Sequence, residues 1–338
     1  MWINNPTLEE THLAIEEGAI HCTTNPAFVS RILKVEKPYV EALIDEVLDE
    51  YLESGKKHFD DDEAAIRVCE KATKPIMDLF MPMYEASGGE VGHVTMQGDP
   101  RLDMDKDYTV EVMLRYAKLS PNLMAKIPVV KGGIEAIEEC VKYNIPICAT
   151  EIFAISQAIT LCEKYEAACS KYNNRPMLFV THISGIFDEY LGKVAKRKGI
   201  EISEEALNLA GVSVARKQFK VLAERGYNAV MLGGGARGLH HFTELVGGPH
   251  ITINWSTAHE LIEKDYDIAE TINKAPDEKV IAELIEKFED FRLAYDEEGL
   301  TVDQYAEFGP VQLFRNAFLT GWYTLLAAIT ARRNARAI

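Results

Sequence analysis

Residues 122–152 read NLMAKIPVVKGGIEAIEECVKYNIPICATEI. Two short apolar runs, LMAKIPV at 123–129 and IPICATEI at 145–152, bracket EAIEECVKYN at 135–144, whose apolar residues recur every three or four positions. The flanking runs read as strands buried on both faces, and the segment between them as an amphipathic helix. Strands alternating with helices imply a parallel sheet. The pattern extends both ways along the chain, with strand-like runs at WIN near residue 3, IHCTT (20–24), GHVTMQ (92–97), MLFVTH (177–182), NAVMLGG (228–234) and HITINW (250–255). A second clear helix is AISQAITLCEKYEAACSKY (154–172). Eight such units over about 250 residues predict an α/β fold, a closed (β/α)₈ TIM barrel, in preference to an open doubly wound sheet. No GxGxxG follows the first strand, and GGGARG (233–238) comes too late and with the wrong spacing for a dinucleotide fingerprint.

Two segments interrupt the regularity. A long helical stretch at 37–87 follows the second strand, and a helical tail begins near residue 276. Neither is flanked by a Pro/Gly/Ser linker, so the expected organisation is a barrel over residues 1–275, including the insertion, with 276–338 as a helical extension packed on it. Residues 311–331 are the most apolar long segment, but Gln312, Arg315 and Asn316 interrupt it, while Phe314, Phe318, Trp322, Leu325 and Ile329 share one side. That spacing predicts an amphipathic helix and no membrane partner.

Composition is ordinary for a soluble globular protein, with 47% hydrophobic and 26% charged residues. A net charge of −17 without a Lys/Arg stripe argues against a nucleic-acid partner. Six cysteines lie inside predicted elements with neither CxxC pairs nor zinc-type histidine spacing, so they read as reduced core residues. The start MWINNPTLEE lacks the basic and apolar regions of a signal peptide, and a cytoplasmic location is expected. A homo-oligomer is compatible with the sequence, which is silent on assembly.

In such a barrel the chemistry sits at the C-terminal ends of the strands. The polar residues there include Asn4, Thr23, Asn25, Gln97, Lys126, Cys148, Thr150, Glu151, Thr181, His182, Gly235, Arg237 and Asn254. Lys126 supplies the one amine at mid-strand depth. Burial disfavours an ammonium ion and frees its lone pair for attack on a carbonyl, the requirement for a Schiff-base catalyst. The alternative is a snorkelling lysine whose stem packs between strand and helix.

Several stretches, in order, resemble the transaldolase family of class I aldolases: TTNPAFV (23–29), QGDPRLDMD (97–105), MAKIPVVKGGIEAI (124–137), ATEIFAISQA (149–158) and VMLGGGARG (230–238). The resemblance implies a dihydroxyacetone unit transferred from a ketose or ketose phosphate to an aldose through an imine on Lys126, with neither metal nor organic cofactor. It also implies that Thr150 positions a water and that Thr23 and Asn25 touch the substrate. The family's first-strand acid/base aspartate falls on Asn4, which cannot take a proton at neutral pH. Its third-strand glutamate falls on Gln97, as in the aldolase-like subgroup, and its fifth-strand asparagine on Cys148. At the phosphate end Arg237 matches one arginine, whereas Gly235 replaces a serine and Gly185-Ile186 replaces a Gly-Arg pair; Lys131 is a candidate substitute.

For the vacant proton-carrying role, His182 closes the sixth strand within expected reach of substrate, with a structural histidine as the alternative. Thr181 and His182 join Thr23, Asn25, Gly235 and Arg237 as expected substrate contacts. Glu151 follows Thr150, so strand alternation points it away from that face, toward a salt bridge either behind the substrate contacts or on the helix side. His240 and His241 read as solvated helix surface, and GGGARG as an anion-binding turn. Two rival expectations stand beside a transaldolase: a divergent class I aldolase for an unphosphorylated or differently substituted sugar, and a sugar-binding barrel without turnover.

Overall fold

The computed structural model describes residues 1–55, 58–264 and 268–336. The expected insertion at 37–87, the barrel span 1–275 and the tail at 276–338 therefore include residues 56–57, 265–267 and 337–338, which lie outside the described residues. Eight strands close into one barrel in sequence order. They are β1 (Trp2–Asn4), β2 (His21–Thr23), β3 (Val94–Met96), β4 (Leu123–Pro128), β5 (Ile147–Ile152), β6 (Leu178–Ile183), β7 (Val230–Gly234) and β8 (His250–Ile253). Every neighbouring pair is parallel, and β8 returns to β1 with Trp2 opposite Thr252. The chain is a (β/α)₈ barrel.

Helices α1 (Leu8–Glu16), α2 (Phe28–Val35), α3 (Lys37–Glu53), α4 (Asp61–Ala86), α5 (Lys106–Tyr116), α6 (Lys131–Lys142) and α7 (Ile155–Tyr172) cover the first half. The second half carries α8 (Ser184–Lys198), α9 (Glu204–Glu224), α10 (His240–Thr243), α11 (Trp255–Glu263), α12 (Glu278–Lys287), α13 (Glu289–Tyr295) and α14 (Gly309–Ala335). Most of the core lies between strands and helices, and a separate cluster of Trp2, Met124, Cys148, Phe179 and Leu232 fills the barrel. That separation follows from alternation: successive strand residues face opposite sides of the sheet, and the inward ones must fill the closed interior.

The stretch at 37–87 forms α3 and α4, which pack on each other. Arg115 of α5 ties α4 to the barrel through Glu63 and Glu70, at 2.7 and 2.6 Å. The long helix α14 buries Val311, Phe318, Trp322, Leu325 and Ile329 and packs across α2, α3, α4 and α8. Its approach to α2 is close enough that a Cβ on Gly321 would stand 2.7 Å from the Ala27 Cα. Arg332 pairs with Asp45, and Arg333 with Asp61 at 3.1 Å, bolting its end to the insertion. Among the described residues, no helix is long and apolar enough to cross a membrane.

The barrel floor is aromatic and titratable. Trp2 lies 4.3 Å from the His21 ring and 4.7 Å from Phe179, and its Nε1–H donates to His250 Nδ1 at 3.1 Å. His21 Nδ1 accepts the backbone N–H of His93 at 3.1 Å. Burial, with the neighbouring His93 and His250 adding to it, pushes the His21 pKa down to about 3. An unfolded chain binds that proton near pH 6.5, so the folded state loses stability as pH falls from 6.5 toward 3. Acidification from pH 7 to pH 4 should cost on the order of a few kcal/mol at this site. His21→Asn, whose amide oxygen can still accept the His93 N–H, should flatten the decline in thermal melts, and a wild-type melting temperature indifferent to pH over that range would contradict this account.

Candidate active site

The C-terminal ends of the strands open into a cavity of about 500 Å³. Asn4 (β1), Thr23 (β2), Lys126 (β4), Cys148 and Thr150 (β5) and Thr181 (β6) form its base, with Asn25 at the side. The loop after β7 supplies Gly235 and Arg237, and α14 roofs it with Phe314, Ala317 and Phe318. The roof is anchored, since the Phe314 ring meets Phe153 edge-on at 6.2 Å. Gln97 is buried beside this group, one position past β3 and in line with Lys126 by the β3–β4 register.

Lys126 is 6% exposed, and its Nζ donates to the Thr24 carbonyl at 3.2 Å. That carbonyl is fixed because Thr24 is pinned to β3 twice: its N–H reaches Thr95 Oγ1 at 3.0 Å and its hydroxyl donates to the Thr95 carbonyl at 2.6 Å. Burial lowers the Lys126 pKa, opposed by the nearby Cys148, Glu151 and Cys22. The result is an amine held in the barrel centre with one neutral acceptor and an enlarged uncharged fraction at neutral pH.

Asn4 sits in a neutral network. Its Nδ2 donates to Asn254 Oδ1 and its Oδ1 accepts from the Thr23 hydroxyl, both at 2.9 Å, and Thr23 Oγ1 lies 2.6 Å from Thr252 Oγ1. Both ends of the amide are used, so this position orients neighbours and holds no titratable proton. Asn25 turns its loop, its Oδ1 accepting from the Ala27 N–H at 3.0 Å.

Simple alternation fails on β5. Ala149 pairs with Val180 and Ile152 with His182, so three steps on β5 match two on β6. This bulge inserts one extra residue. Glu151 takes φ +60°, is fully buried, and accepts from Gln97 Nε2 at 3.4 Å. The helix-side alternative is therefore corrected: Glu151 stays on Thr150's side of the sheet, buried against Gln97 behind the residues that line the cavity. Gln157 of α7 clamps the bulge, donating to the Glu151 and Val129 carbonyls at 3.0 Å and accepting from the Phe153 and Ala154 N–H groups.

His182 is also corrected. It lies outside the cavity, fully buried against α9, with Nδ1 3.3 Å from Gln218 Oε1 and Nε2 3.2 Å from the Gly211 carbonyl. Thr181 faces inward, so its neighbour must face the helices. Burial pushes the His182 pKa down to about 4, which keeps it neutral.

Arg237 reaches the cavity, but its Nε donates to Glu189 Oε2 at 2.8 Å. The N–H groups of Arg237 and Gly238 both point at His241 Nδ1, at 3.4 and 3.2 Å. His241 is 2% exposed and is held in turn by Asp188 through Nε2 at 2.8 Å, so it is a buried prop for this loop and not the solvated surface expected. The GGGARG turn thus spends two amides internally, and α10 after it is a single turn. Lys131 lies outside the cavity, paired with Asp303 at 2.8 Å. Asp188, His240 and His241 bring three ligand-type atoms within 4.8 Å of one another, the group among the described residues that could share a cation.

Sequence reading missed the roof phenylalanines, treated as packing residues, and Thr252, which precedes the end of β8 by one position. It also missed why residue 185 is glycine: a Cβ there would lie 2.5 Å from the Arg237 N and 2.7 Å from the Gly235 carbonyl oxygen. Gly185→Ala should therefore displace the loop and cost about 1–3 kcal/mol, as overpacking does. Chemical denaturation measures it, and a variant as stable as wild type would refute the close approach.

The description "Transaldolase/Fructose-6-phosphate aldolase" matches residues 1–309 of this chain. Among similar proteins, a Streptomyces avermitilis protein named Transaldolase 1 is 25% identical over 224 residues, covering 63% of this chain and 56% of its own length. Proteins named Transaldolase from Mycobacterium ulcerans and Mycobacterium tuberculosis are each 27% identical over 221 residues, covering 62% of this chain and 56% of theirs. The chain thus spans about half the length of these relatives. With the matching family description running through all eight strands, including β4 with its Lys126, the chain belongs to the transaldolase/fructose-6-phosphate aldolase family.

Proposed function

We propose that this protein is a transaldolase-type enzyme that moves a dihydroxyacetone unit through an imine on Lys126. The observation that carries the reading is the buried Lys126 amine at the centre of a polar cavity, with burial favouring its nucleophilic form. The amine adds to the C2 carbonyl of a ketose, and the carbinolamine loses water to give an iminium ion. As the C4 hydroxyl gives up its proton, the C3–C4 bond breaks and its electron pair moves into the iminium, leaving an enamine on Lys126 and a free aldehyde. Addition of the enamine carbon to an acceptor aldehyde regenerates the iminium, which water hydrolyses to release product and restore the amine.

In this reading Thr150 and Gln97 hold the water or hydroxyl that serves the iminium, while Asn4, Thr23, Asn25 and Thr181 bind sugar hydroxyls. Arg237, beside Gly235, meets a terminal phosphate after giving up Glu189. The chemistry draws on these side chains and a sugar substrate, in a cytoplasmic setting compatible with six unpaired cysteines. A second reading, a divergent aldolase for an unphosphorylated or differently substituted sugar, is favoured by the commitment of Arg237 to Glu189 and of two loop amides to His241.

Borohydride reduction in the presence of dihydroxyacetone or fructose 6-phosphate should leave a mass adduct on Lys126, read by peptide mass spectrometry. Lys126→Ala should abolish both adduct and turnover, and an adduct-free wild type with every ketose tried would overturn the imine chemistry. Arg237→Ala should raise KM for fructose 6-phosphate about tenfold or more relative to fructose, as loss of a charged hydrogen bond predicts. An equal change for both sugars would support the divergent aldolase. Erythrose 4-phosphate as acceptor distinguishes transfer from free release.

A further inference from the structure

The acid/base position on β1 is an asparagine with both amide ends engaged, yet C3–C4 cleavage requires a proton to leave and later return. Three features of β5 bear on where that proton goes. First, the bulge keeps Thr150 and Glu151 together on the cavity side, between Ala149 and Ile152, which pair outward with Val180 and His182. Among the described residues the non-glycine positions with positive φ are Asn5, Asn144, Glu151 and Asn173. Asparagine tolerates that region, whereas a glutamate there is strained and persists because its surroundings hold it. Gln157 supplies the hold by bonding the Glu151 carbonyl at 3.0 Å.

Second, the polar atoms gathered here lack protein partners. Glu151 is fully buried with Gln97 as its hydrogen-bond donor, and Glu151 Oε2, Gln97 Oε1 and Thr150 Oγ1 are buried without a partner. Buried polar atoms are normally satisfied, and a local deficit is costly unless the site receives a hydroxyl or water. Third, charged groups face Glu151 from two other elements. Lys126 from β4 and Arg315 from α14 favour its carboxylate, while burial opposes it and pushes its pKa up to about 7. Asp103, in the loop after β3, is itself buried with a pKa raised by burial and by Glu151, and Arg315 Nε stands 3.8 Å from its Oδ2. A carboxyl that titrates near neutrality is matched to general acid/base work.

We propose that Glu151 takes up and returns the proton that Asn4 cannot carry, through a hydroxyl or water held among Glu151, Thr150 and Gln97. This rests on the imine reading of Lys126. In cleavage, the C4 hydroxyl proton passes to the Glu151 carboxylate as the C3–C4 electron pair enters the iminium. In addition, the acceptor's carbonyl oxygen takes that proton back from the carboxylic acid as the new bond forms. Glu151 acts through the held hydroxyl and is a positioning and proton-storing residue.

Glu151→Gln keeps the shape and the Gln97 contact but stores no proton. Borohydride trapping of dihydroxyacetone on Lys126 should persist within about threefold of wild type, while ketose cleavage falls roughly 100-fold or more, the usual worth of a positioned acid/base. The limb of the wild-type pH–rate profile that rises with pH should disappear in Glu151→Gln and return, with part of the rate, in Glu151→Asp. Cleavage by Glu151→Gln within threefold of wild type with an unchanged limb would overturn the proposal. So would equal loss of trapping and cleavage in both variants, the mark of a merely structural role. Absence of trapping in the wild type would instead remove the imine reading on which the proposal stands.

Discussion

One amine inside a closed ring of strands sets the terms for everything around it. An ammonium ion at Lys126 must be desolvated, and the barrel offers it a carbonyl on β2's exit loop in place of a full ion pair. The carbonyl is useful only if fixed, hence the paired bonds between Thr24 and Thr95; the ring around the amine is otherwise neutral, with Thr23, Asn4, Cys148 and Thr181. Carboxylates are kept one layer back, where they influence the amine's charge without locking it as a salt bridge. That layering separates a lysine available for addition to a carbonyl from one held permanently protonated.

Much of this was legible in the sequence, for reasons that differ from part to part. All eight strands could be read because a strand buried on both faces leaves a short apolar run, and the barrel followed from their alternation with helices. Strand ends then named Lys126, Thr150, Asn4, Thr23, Thr181 and Arg237 as neighbours, since in a barrel those positions converge whatever their separation in the chain. His182 was misplaced because a strand end has two faces and the tail of the run does not say which residue turns inward. Glu151 was misplaced for the opposite reason: the parity rule was applied where a bulge suspends it, and neither Thr150 nor Ile152 advertises a bulge by type. His241 failed as surface because residues 240–243 make one short turn folded onto Asp188, where helical spacing rules do not apply, while His240 stays partly exposed.

The two ends of the cavity differ in character. At the Lys126 end, polar atoms are buried and short of partners, so a ligand's hydroxyls would complete bonds that the protein leaves open. At the Arg237 end, partners are already in place: Glu189 on the guanidinium, His241 on the loop amides, Asp188 on His241. A ligand arriving there must exchange bonds instead of adding them, which lowers the net gain from an anionic group. A ligand therefore gains more from the Lys126 end of the cavity than from the Arg237 end.

The helix α14 begins at Gly309, where the span matching the family description ends, and its first turns roof the cavity. Phe314 and Arg315 are consecutive on it, the first over the cavity and the second beside Asp103. A rigid helix cannot lift one without moving the other. Tilting α14 to admit a ligand would draw a positive charge away from the buried Asp103–Glu151 pair and make protonation of that pair easier, and closing it would reverse the change. Any movement of this roof would therefore be an electrical event as well as a mechanical one, felt by the carboxyls beneath.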